Sequence, residues 1–303
     1  MTKYILKRLL ISLITIFVLC TVTFFVIRWI PGDPFENPKI TEEMHAQLVT
    51  YYGLDKPVIV QYGGFLKNLL NGHLGYSIQY TNRPVTEIIG EAFPYSFDLG
   101  VRALLFATIV GISLGITAAL NRKKTLDYVS ILVAVIGISV PSFVVASSLQ
   151  YFFGVKLGWL PVSRYESFAS TILPSFALGL GTLATLTRLM RTSMLEVIST
   201  DYVKTAKSKG VGKLGVILKH QLRNALLPIV TILGPTAAFL MTGTFIVEQI
   251  FAIPGLGRHF IMAVQNTDYS LVTGLTIFFG SVLVLMNFLV DLVYGLIDPR
   301  IRG

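Results

Sequence analysis

The amino-acid sequence predicts an all-α membrane protein that crosses the bilayer six times, and three observations carry that prediction. Of its 303 residues 53% are hydrophobic and only 14% are charged, against roughly 25% charged in soluble domains. Six stretches hold no charge: Leu9–Ile27, Ala103–Leu120, Tyr128–Val155, Phe168–Thr187, Asn224–Val247 and Tyr269–Val290. A bilayer-spanning helix needs about 20 mostly apolar residues, so each stretch suits one crossing. The bases gather on alternate connections, which the positive-inside rule reads as the cytoplasmic side.

The first stretch follows Lys3, Lys7 and Arg8. Its apolar run exceeds the roughly 7–15 residues of a signal-peptide core, and Arg28-Trp-Ile-Pro31 stands where a small-residue cleavage site would be, so it reads as an uncleaved anchor. Cys20 is the only cysteine, which excludes an intrachain disulfide and a Cys-based zinc site. Residues 1–30 form the tail and first helix, and residues 31–94 a small external helical subdomain in which Asp33, Glu36, Glu42, Glu43, Asp55, Glu87 and Glu91 outweigh the bases. Thr41 can cap a helix through about Tyr52, Pro57 suits the start of another reaching Asn71, and Gly72 stops it. The subdomain either covers the outer mouth or helps seat an extracytoplasmic protein.

Residues 95–303 hold the remaining five crossings. In the second, Asp98 and Arg102 lie one turn apart and pair, and Ala107, Gly111, Gly115 and Ala119 make a small-residue stripe for close helix contact, inside the chain or against a second membrane subunit. Pro141 kinks the third, beside Ser139, Ser142, Phe143, Ser147, Ser148 and Gln150, while Pro174 and Pro235 repeat the theme in the fourth and fifth. A broken helix can turn backbone polar groups toward a water-filled path, although serines also bond back to their own helix. Ser139, Pro141, Ser142 and Phe143 are the candidate path residues. Asp291 closes the sixth crossing, where it is expected to meet an interface.

Between the fourth and fifth crossings lies a basic helix-turn-helix, residues 196–226. Thr200 is placed to cap a first helix opened by Asp201, and Lys207 and Lys209 precede a Gly210 stop. From Lys213 onward, Leu214, Ile217, Leu218, Gln221, Leu222 and Ala225 share one face at helical spacing. Lys213, Lys219, His220 and Arg223 share the other, with Val216 the exception on that charged side. With Arg122, Lys123 and Lys124, and with Arg300 and Arg302 at the end, these bases place both termini and the helix pair in the cytoplasm. The net charge of +9 therefore reflects topology, and no nucleic-acid motif accompanies it.

Asp201–Gly210 and His220–Pro228 resemble the EAA loop of membrane subunits of bacterial ATP-binding-cassette importers. The general pattern is Glu-Ala-Ala, three residues, Gly, nine residues, Ile, one residue, Leu-Pro. Ala206, Gly210 and Leu222 match it, whereas Lys204, Thr205, His220 and Arg223 stand where Glu, Ala, Ile and Pro would be. The oligopeptide and dipeptide branch shows a form close to Thr-Ala-Lys-x-Lys-Gly and His-x-Leu-Arg-Asn-Ala, as this sequence does. Pro31-Gly-Asp-Pro34, Gly72–Ser77, Ile138–Phe143, Val247–Arg258 and Leu296–Arg302 extend the likeness from end to end.

The resemblance implies a type I importer permease of the bacterial cytoplasmic membrane. Its implied partners are a homologous second permease, two ATPase subunits, and an external binding protein that delivers oligopeptides or dipeptides; related systems carry nickel, metal chelates or glutathione. Asp201, Lys204, Ala206, Lys207, Gly210, His220, Leu222 and Arg223 would couple to the ATPases. The chain itself has no nucleotide site: Gly212-Lys213 is followed by Leu214, and Lys207 occupies the leading Gly position of a P-loop. ATP and magnesium would be held by the partner subunits. No metal-ligand spacing joins His45, His73, His220 and His259, and no nucleophile elbow is present, so no catalytic or metal residues are expected. The rival of another class is a secondary transporter that works without ATPases.

Overall fold

A computed structural model describes residues 2–29, 41–52, 55–80 and 83–297; Pro31–Pro34 and the Arg300–Arg302 end fall outside them. Helix α1 (Thr2–Arg28) is apolar on nearly every side. Only Cys20, Thr23 and Phe24 are buried, while Leu10, Phe17 and Val22 stay more than half exposed, as a helix solvated by lipid must. It packs along the final helix, α14 (Tyr269–Ile297 in the numbering below). At one end Arg8 pairs with Asp291 at 3.0 Å and the Tyr4 hydroxyl donates to the Asp291 carbonyl at 3.1 Å. Asp291, expected at an interface, is thus met by its own chain, and the start of the first crossing lies beside the end of the last.

The segment after α1 contains α2 (Glu42–Tyr52), α3 (Val58–Leu70), and two paired two-residue strands, β1 (Tyr76–Ser77) and β2 (Arg83–Pro84). Gly72 follows α3 with φ +77°, the left-handed stop expected there. Asp268 ties the segment down from its buried position: it accepts from the Ser77 hydroxyl at 2.5 Å, the Gln79 amide at 3.1 Å and the Leu271 amide at 3.0 Å.

Helix α4 (Val85–Leu120) runs through Pro94 for 36 residues, about 54 Å at 1.5 Å per residue, well beyond a 30 Å hydrocarbon layer. Its small-residue stripe settles inside the chain. Cβ atoms added at Gly111 and Gly115 would lie 2.8 Å from the Leu183 carbonyl and 2.6 Å from the Met190 side chain, both on α7. In its N-terminal half Arg102 pairs with Asp98 at 2.6 Å, as the spacing predicted, and Tyr165 donates its hydroxyl to the same carboxylate.

The third crossing is where structure and pattern part. Instead of one kinked helix, α5 (Thr125–Ser139) and α6 (Ser142–Leu149) meet at 104°, and α6 continues into a π-helical turn, Gln150–Lys156. Pro141 imposes this on its neighbour. The clash of a proline ring with the preceding residue disfavours helical dihedrals, and Val140 sits at φ −90°, ψ 122°. Pro174 and Pro235 break nothing: α7 (Phe168–Ile198) and α11 (Leu227–Met241) run through them as single helices. Four single helices and the run Leu227–Ile250, which is interrupted at Thr242–Thr244, are long and apolar enough to span a membrane, and the bent pair makes the sixth segment.

Helix α7 is the centre of the bundle, packed against α4, α5, α6 and α11. Ser167 caps it with a reciprocal Ser170 contact. The Asp127 carboxylate, buried at the start of α5, grips Arg191 of α7 through two bonds of 2.6 and 2.9 Å and accepts from the Lys123 amide at 2.9 Å. Leu183, Leu186, Met190 and Met194 of α7 join Ala107, Ala225 and Ile229 in one apolar cluster, and Leu173 and Ala177 join Leu99, Leu240 and Phe251 in another. After α7 come α8 (Asp201–Ser208), α9 (Lys213–Gly215), a second π-helical turn Val216–Leu222, and α10 (Arg223–Ala225). Beyond α11 lie α12 (Phe245–Ile250), α13 (Leu256–Gln265) and α14.

Candidate functional site

The basic helix-turn-helix forms an elbow between α7 and α11. Thr200 does precede α8, but its hydroxyl donates back to the Val197 carbonyl at 2.7 Å and caps nothing. Thr200 is thereby fastened to the last turn of α7. α8 buries Val203 and Ala206 and exposes Asp201, Tyr202, Lys204, Thr205, Lys207 and Lys209. Lys204 and Asp201 make an exposed pair at 2.8 Å, a geometry that contributes little stability in water. Gly210 turns the chain with φ +76°; its amide donates to Lys207 at 3.0 Å and the Val211 amide to Ala206 at 3.3 Å. That is a helix stop of the kind only Gly adopts without strain.

The second arm departs from the expected faces at Leu214, Val216 and Leu218, while Gln221 and Ala225 are buried and Lys213, Lys219 and Arg223 exposed as expected. Val216, placed on the charged side by a 3.6-residue period, is buried together with Gln221 and Ala225, whereas Leu214 is 69% and Leu218 52% exposed. The cause is the π-helical turn: with bonds spaced i to i+5, residues 216 and 221 stack on one side and the leucines rotate outward. The Asn224 amide donates to the Tyr202 hydroxyl at 2.8 Å, joining the two arms.

The elbow's exposed side chains include the apolar or aromatic Tyr202, Leu214 and Leu218 and the cationic Lys204, Lys207, Lys209, Lys213, Lys219 and Arg223. Of the eight candidate coupling residues, Asp201, Lys204, Lys207, Gly210 and Arg223 are exposed there and His220 and Leu222 are half-buried. Ala206 lies behind the surface, where its small size lets α8 sit on the second arm. Tyr202, Leu214 and Leu218 were missed because a period of 3.6 turned the leucines inward.

The four candidate path residues, Ser139, Pro141, Ser142 and Phe143, come together at the break between α5 and α6, and all are exposed. Elsewhere hydroxyls bond back to their own helix: Ser113, Ser130, Thr185, Thr187 and Thr236 each donate to the carbonyl four residues earlier. Among the described residues, the hydroxyls of Ser139, Ser142, Ser147 and Ser148 have no protein partner. Gln150 differs, since its amide donates to the Val162 and Ile250 carbonyls at 2.7 and 2.9 Å and fixes the π-helical turn to α12.

Two polar knots flank this region. Glu248 is fully buried: it accepts from the Ser96 hydroxyl at 2.8 Å and the Gly257 amide at 3.0 Å, while Ser96 accepts from the Leu256 amide at 2.8 Å. A Cβ at Gly255 would lie 2.5 Å from that carboxylate, so glycine is what lets the backbone close over it. The lone acid amid Gly243, Gly255 and Gly257 was the available signal for this knot. In the other, the Arg102 guanidinium lies 5.0 Å over the Phe168 ring beside Asp98 and Tyr165. Burial, and then the Asp98 carboxylate, push the Tyr165 phenol up to about 12. Among the described residues no group of histidine, cysteine, aspartate and glutamate could hold a metal ion.

Comparison with known proteins gives one consistent answer. Residues 111–303 match the family described as binding-protein-dependent transport system inner membrane component, and residues 1–100 match its N-terminal counterpart. The chain is 43% identical, over all of its length and 98% of the relative's, to a dipeptide transport system permease protein, DppB, of Bacillus subtilis. It is 41% identical over the full length of both chains to an oligopeptide transport system permease protein, OppB, of Haemophilus influenzae. Among solved structures, a chain of the MetNI methionine ABC transporter in inward-facing conformations superposes with TM-score 0.56 at 16% identity, covering 70% of this chain and 97% of that one, a likeness of fold. The chain is a multi-pass membrane protein and belongs to the family of inner membrane components of binding-protein-dependent transport systems.

Proposed function

We propose that this chain is a non-catalytic membrane subunit of an ATP-driven peptide importer, standing with both termini and the elbow in the cytoplasm. It would pair with a homologous second permease and two ATPase subunits, and receive oligopeptides or dipeptides from an extracytoplasmic binding protein. ATP and magnesium belong to the ATPases. The observation that carries the reading is the elbow: exposed Tyr202, Leu214 and Leu218 on a segment that also exposes six cations and packs against two spanning helices. Full-length identity of 43% and 41% with permeases named for dipeptide and oligopeptide transport favours peptides over metal chelates or glutathione.

Movement of the elbow has short routes into the membrane. Thr200 is bonded to the end of α7, and Ala225 and Ile229 pack on Met190 and Met194 of the same helix. α7 in turn holds α5 through Asp127 and Arg191 and packs on α6. A push at the elbow therefore reaches both sides of the break at Pro141, where the unpartnered serines can serve a hydrated peptide. The docking roles of Asp201, Lys204, Lys207, Gly210, His220 and Arg223, with Ala206 and Leu222 as supports, follow from that arrangement.

Leu218→Cys, placed in a Cys20→Ala background and labelled with a benzophenone maleimide, whose photoexcited ketone inserts into a neighbouring C–H bond, should cross-link to the ATPase in the assembled complex on illumination. The yield should change with nucleotide. Absence of a cross-link, or ion-driven uptake by the purified chain alone, would overturn the reading in favour of an ATP-independent transporter.

A further inference from the structure

Glu248 sits on α12, a helix of six residues. Isolated helices shorter than about 12–15 residues do not hold by themselves, so α12 stays where its neighbours tie it. On one side the fully buried Glu248 carboxylate accepts from the Ser96 hydroxyl of α4 at 2.8 Å with one oxygen and from the Gly257 amide of α13 at 3.0 Å with the other, and Ser96 accepts from the Leu256 amide at 2.8 Å. One acid thus joins α4, α12 and α13. The backbone is shaped around it: a Cβ at Gly243 would lie 2.6 Å from Oε1 and 2.9 Å from the Ser96 hydroxyl, and Gly243 takes φ +100° at the interruption between α11 and α12.

The last carbonyls of a helix have no partner inside it, and those of α12 are met from the broken third crossing. The Ile250 carbonyl accepts from the Gln150 side chain at 2.9 Å, and the Phe251 carbonyl accepts from the Arg164 amide at 2.8 Å. Gln150 opens the π-helical turn that continues α6, and Val247 and Phe251 share an apolar cluster with Ala146 of α6. The backbone alone does not set the angle of α6 to α5: Val140 is extended between them, so the 104° is held by what α6 packs on, which is α7 and α12. Contacts therefore run without a gap from Ser96 of α4 through Glu248 and Ile250 to Gln150. A peptide in the path cannot touch Glu248, since nothing of it is exposed. Whatever part it plays, it plays through the elements it holds.

We propose that Glu248 is a positioning residue for the substrate path: its carboxylate pins α12 to α4 and α13, and α12 holds α6 at its angle to α5, which keeps Ser142 and Phe143 in place at the break. A buried acid suits this task because both oxygens are committed, and losing it strands a hydroxyl and an amide away from water. The effect on transport rests on the peptide-importer reading, whereas the mechanical link from Glu248 to α6 does not.

The test measures spin-label distances in the full chain, assembled with cysteine-free partner subunits in vesicles, with Cys20→Ala as background. Tyr128→Cys with Val155→Cys reads α5 against the continuation of α6, and Ile109→Cys with Glu196→Cys reads α4 against α7 as a control. Glu248→Ala should broaden the 128–155 distribution and leave 109–196 as narrow as in the parent, with Glu248→Gln, which keeps the shape and one acceptor oxygen, in between. Gln150→Met cuts the same link at its other end from a half-buried position and should give the same signature even if Glu248→Ala fails to insert. In uptake assays the maximal rate should fall about two- to thirty-fold in both variants, with the KM for peptide unchanged because capture by the binding protein is not touched. An unaltered 128–155 distribution in Gln150→Met, or in an inserted Glu248→Ala, would overturn the proposal, and so would equal broadening of both pairs, which marks general loosening. The distances are read without peptide or nucleotide, so a parent chain that takes up no peptide would sink the cargo reading and leave this link standing.

Discussion

Replacing Gly210 isolates the backbone's part in coupling from any contact made there. Its φ of +76° lies in the left-handed region, and a Cβ built on it meets no atom within 4 Å. Substitution therefore adds no clash inside the chain and changes only the conformational preference of the turn. An L-residue in that region costs about 1–2 kcal/mol, and Asn is the residue that bears it best. At 1.4 kcal/mol per tenfold, Gly210→Ala shifts the balance between the native turn and its alternatives by about five- to thirty-fold. Gly210→Val, being β-branched, shifts it further. Reconstituted with ATPases and binding protein in vesicles, the order of peptide uptake per ATP hydrolysed should be Gly, Asn, Ala, Val, with equal membrane insertion throughout. Val coupling as tightly as wild type would refute the turn's role. Asn performing as badly as Val would refute the conformational explanation, since it would show that bulk against a partner matters instead.

Other consequences can be checked on the same preparations. Asp127→Ala strands the Arg191 guanidinium and the Lys123 amide; breaking a buried pair costs roughly 3–5 kcal/mol, and because Arg191 keeps 24% side-chain exposure the loss should fall near the lower figure, read as a drop in melting temperature in detergent. Tyr165 binds its proton more tightly folded than unfolded, so its contribution is complete below about pH 10 and lost as pH rises toward about 12; Tyr165→Phe should lower the melting temperature at neutral pH and flatten the alkaline limb of the thermal-stability profile, so that the two proteins converge as pH rises toward about 12. Ser142→Leu should reduce peptide uptake at least tenfold without altering assembly, whereas Thr185→Val, which removes a hydroxyl bonded back to Gly181, should leave uptake within a factor of two.

The parts of the fold that obey simple solvation rules were open to reading from the sequence. Lipid demands long uncharged runs, and four of the six stretches lie in continuous helices, while the fifth, Asn224–Val247, is interrupted at Thr242–Thr244. Asp98 with Arg102, the Gly72 stop and the Gly210 stop depend on residues a turn apart or less, so local spacing sufficed. What local spacing could not supply was every partner distant in sequence: Arg8 for Asp291, Arg191 for Asp127, Ser77 for Asp268, Ser96 for Glu248. Pro141 illustrates the boundary between the two. A proline announces a bend, but Pro174 and Pro235 lie inside α7 and α11 without ending them, whereas Pro141 parts α5 from α6 at 104°, and the local pattern does not tell these cases apart.

The elbow's second arm shows how a sound rule can select the wrong face. Amphipathic patterning assumes that the apolar side must meet the chain that carries it, and under a 3.6-residue period that rule turns Leu214 and Leu218 inward. Burying a leucine stabilises by roughly 1.5–3 kcal/mol relative to leaving it in water, so two exposed leucines are a standing cost in the isolated subunit. The buried Gln221 side-chain oxygen adds to it, having no partner among the described residues. Both costs follow from one choice, the π-helical register that carries Val216 inside and the leucines out. A surface of this kind regains its energy only when another protein covers it. The same residues that violate the single-chain rule are thus those a docking partner would need, and the register of Val216–Leu222 is what presents them.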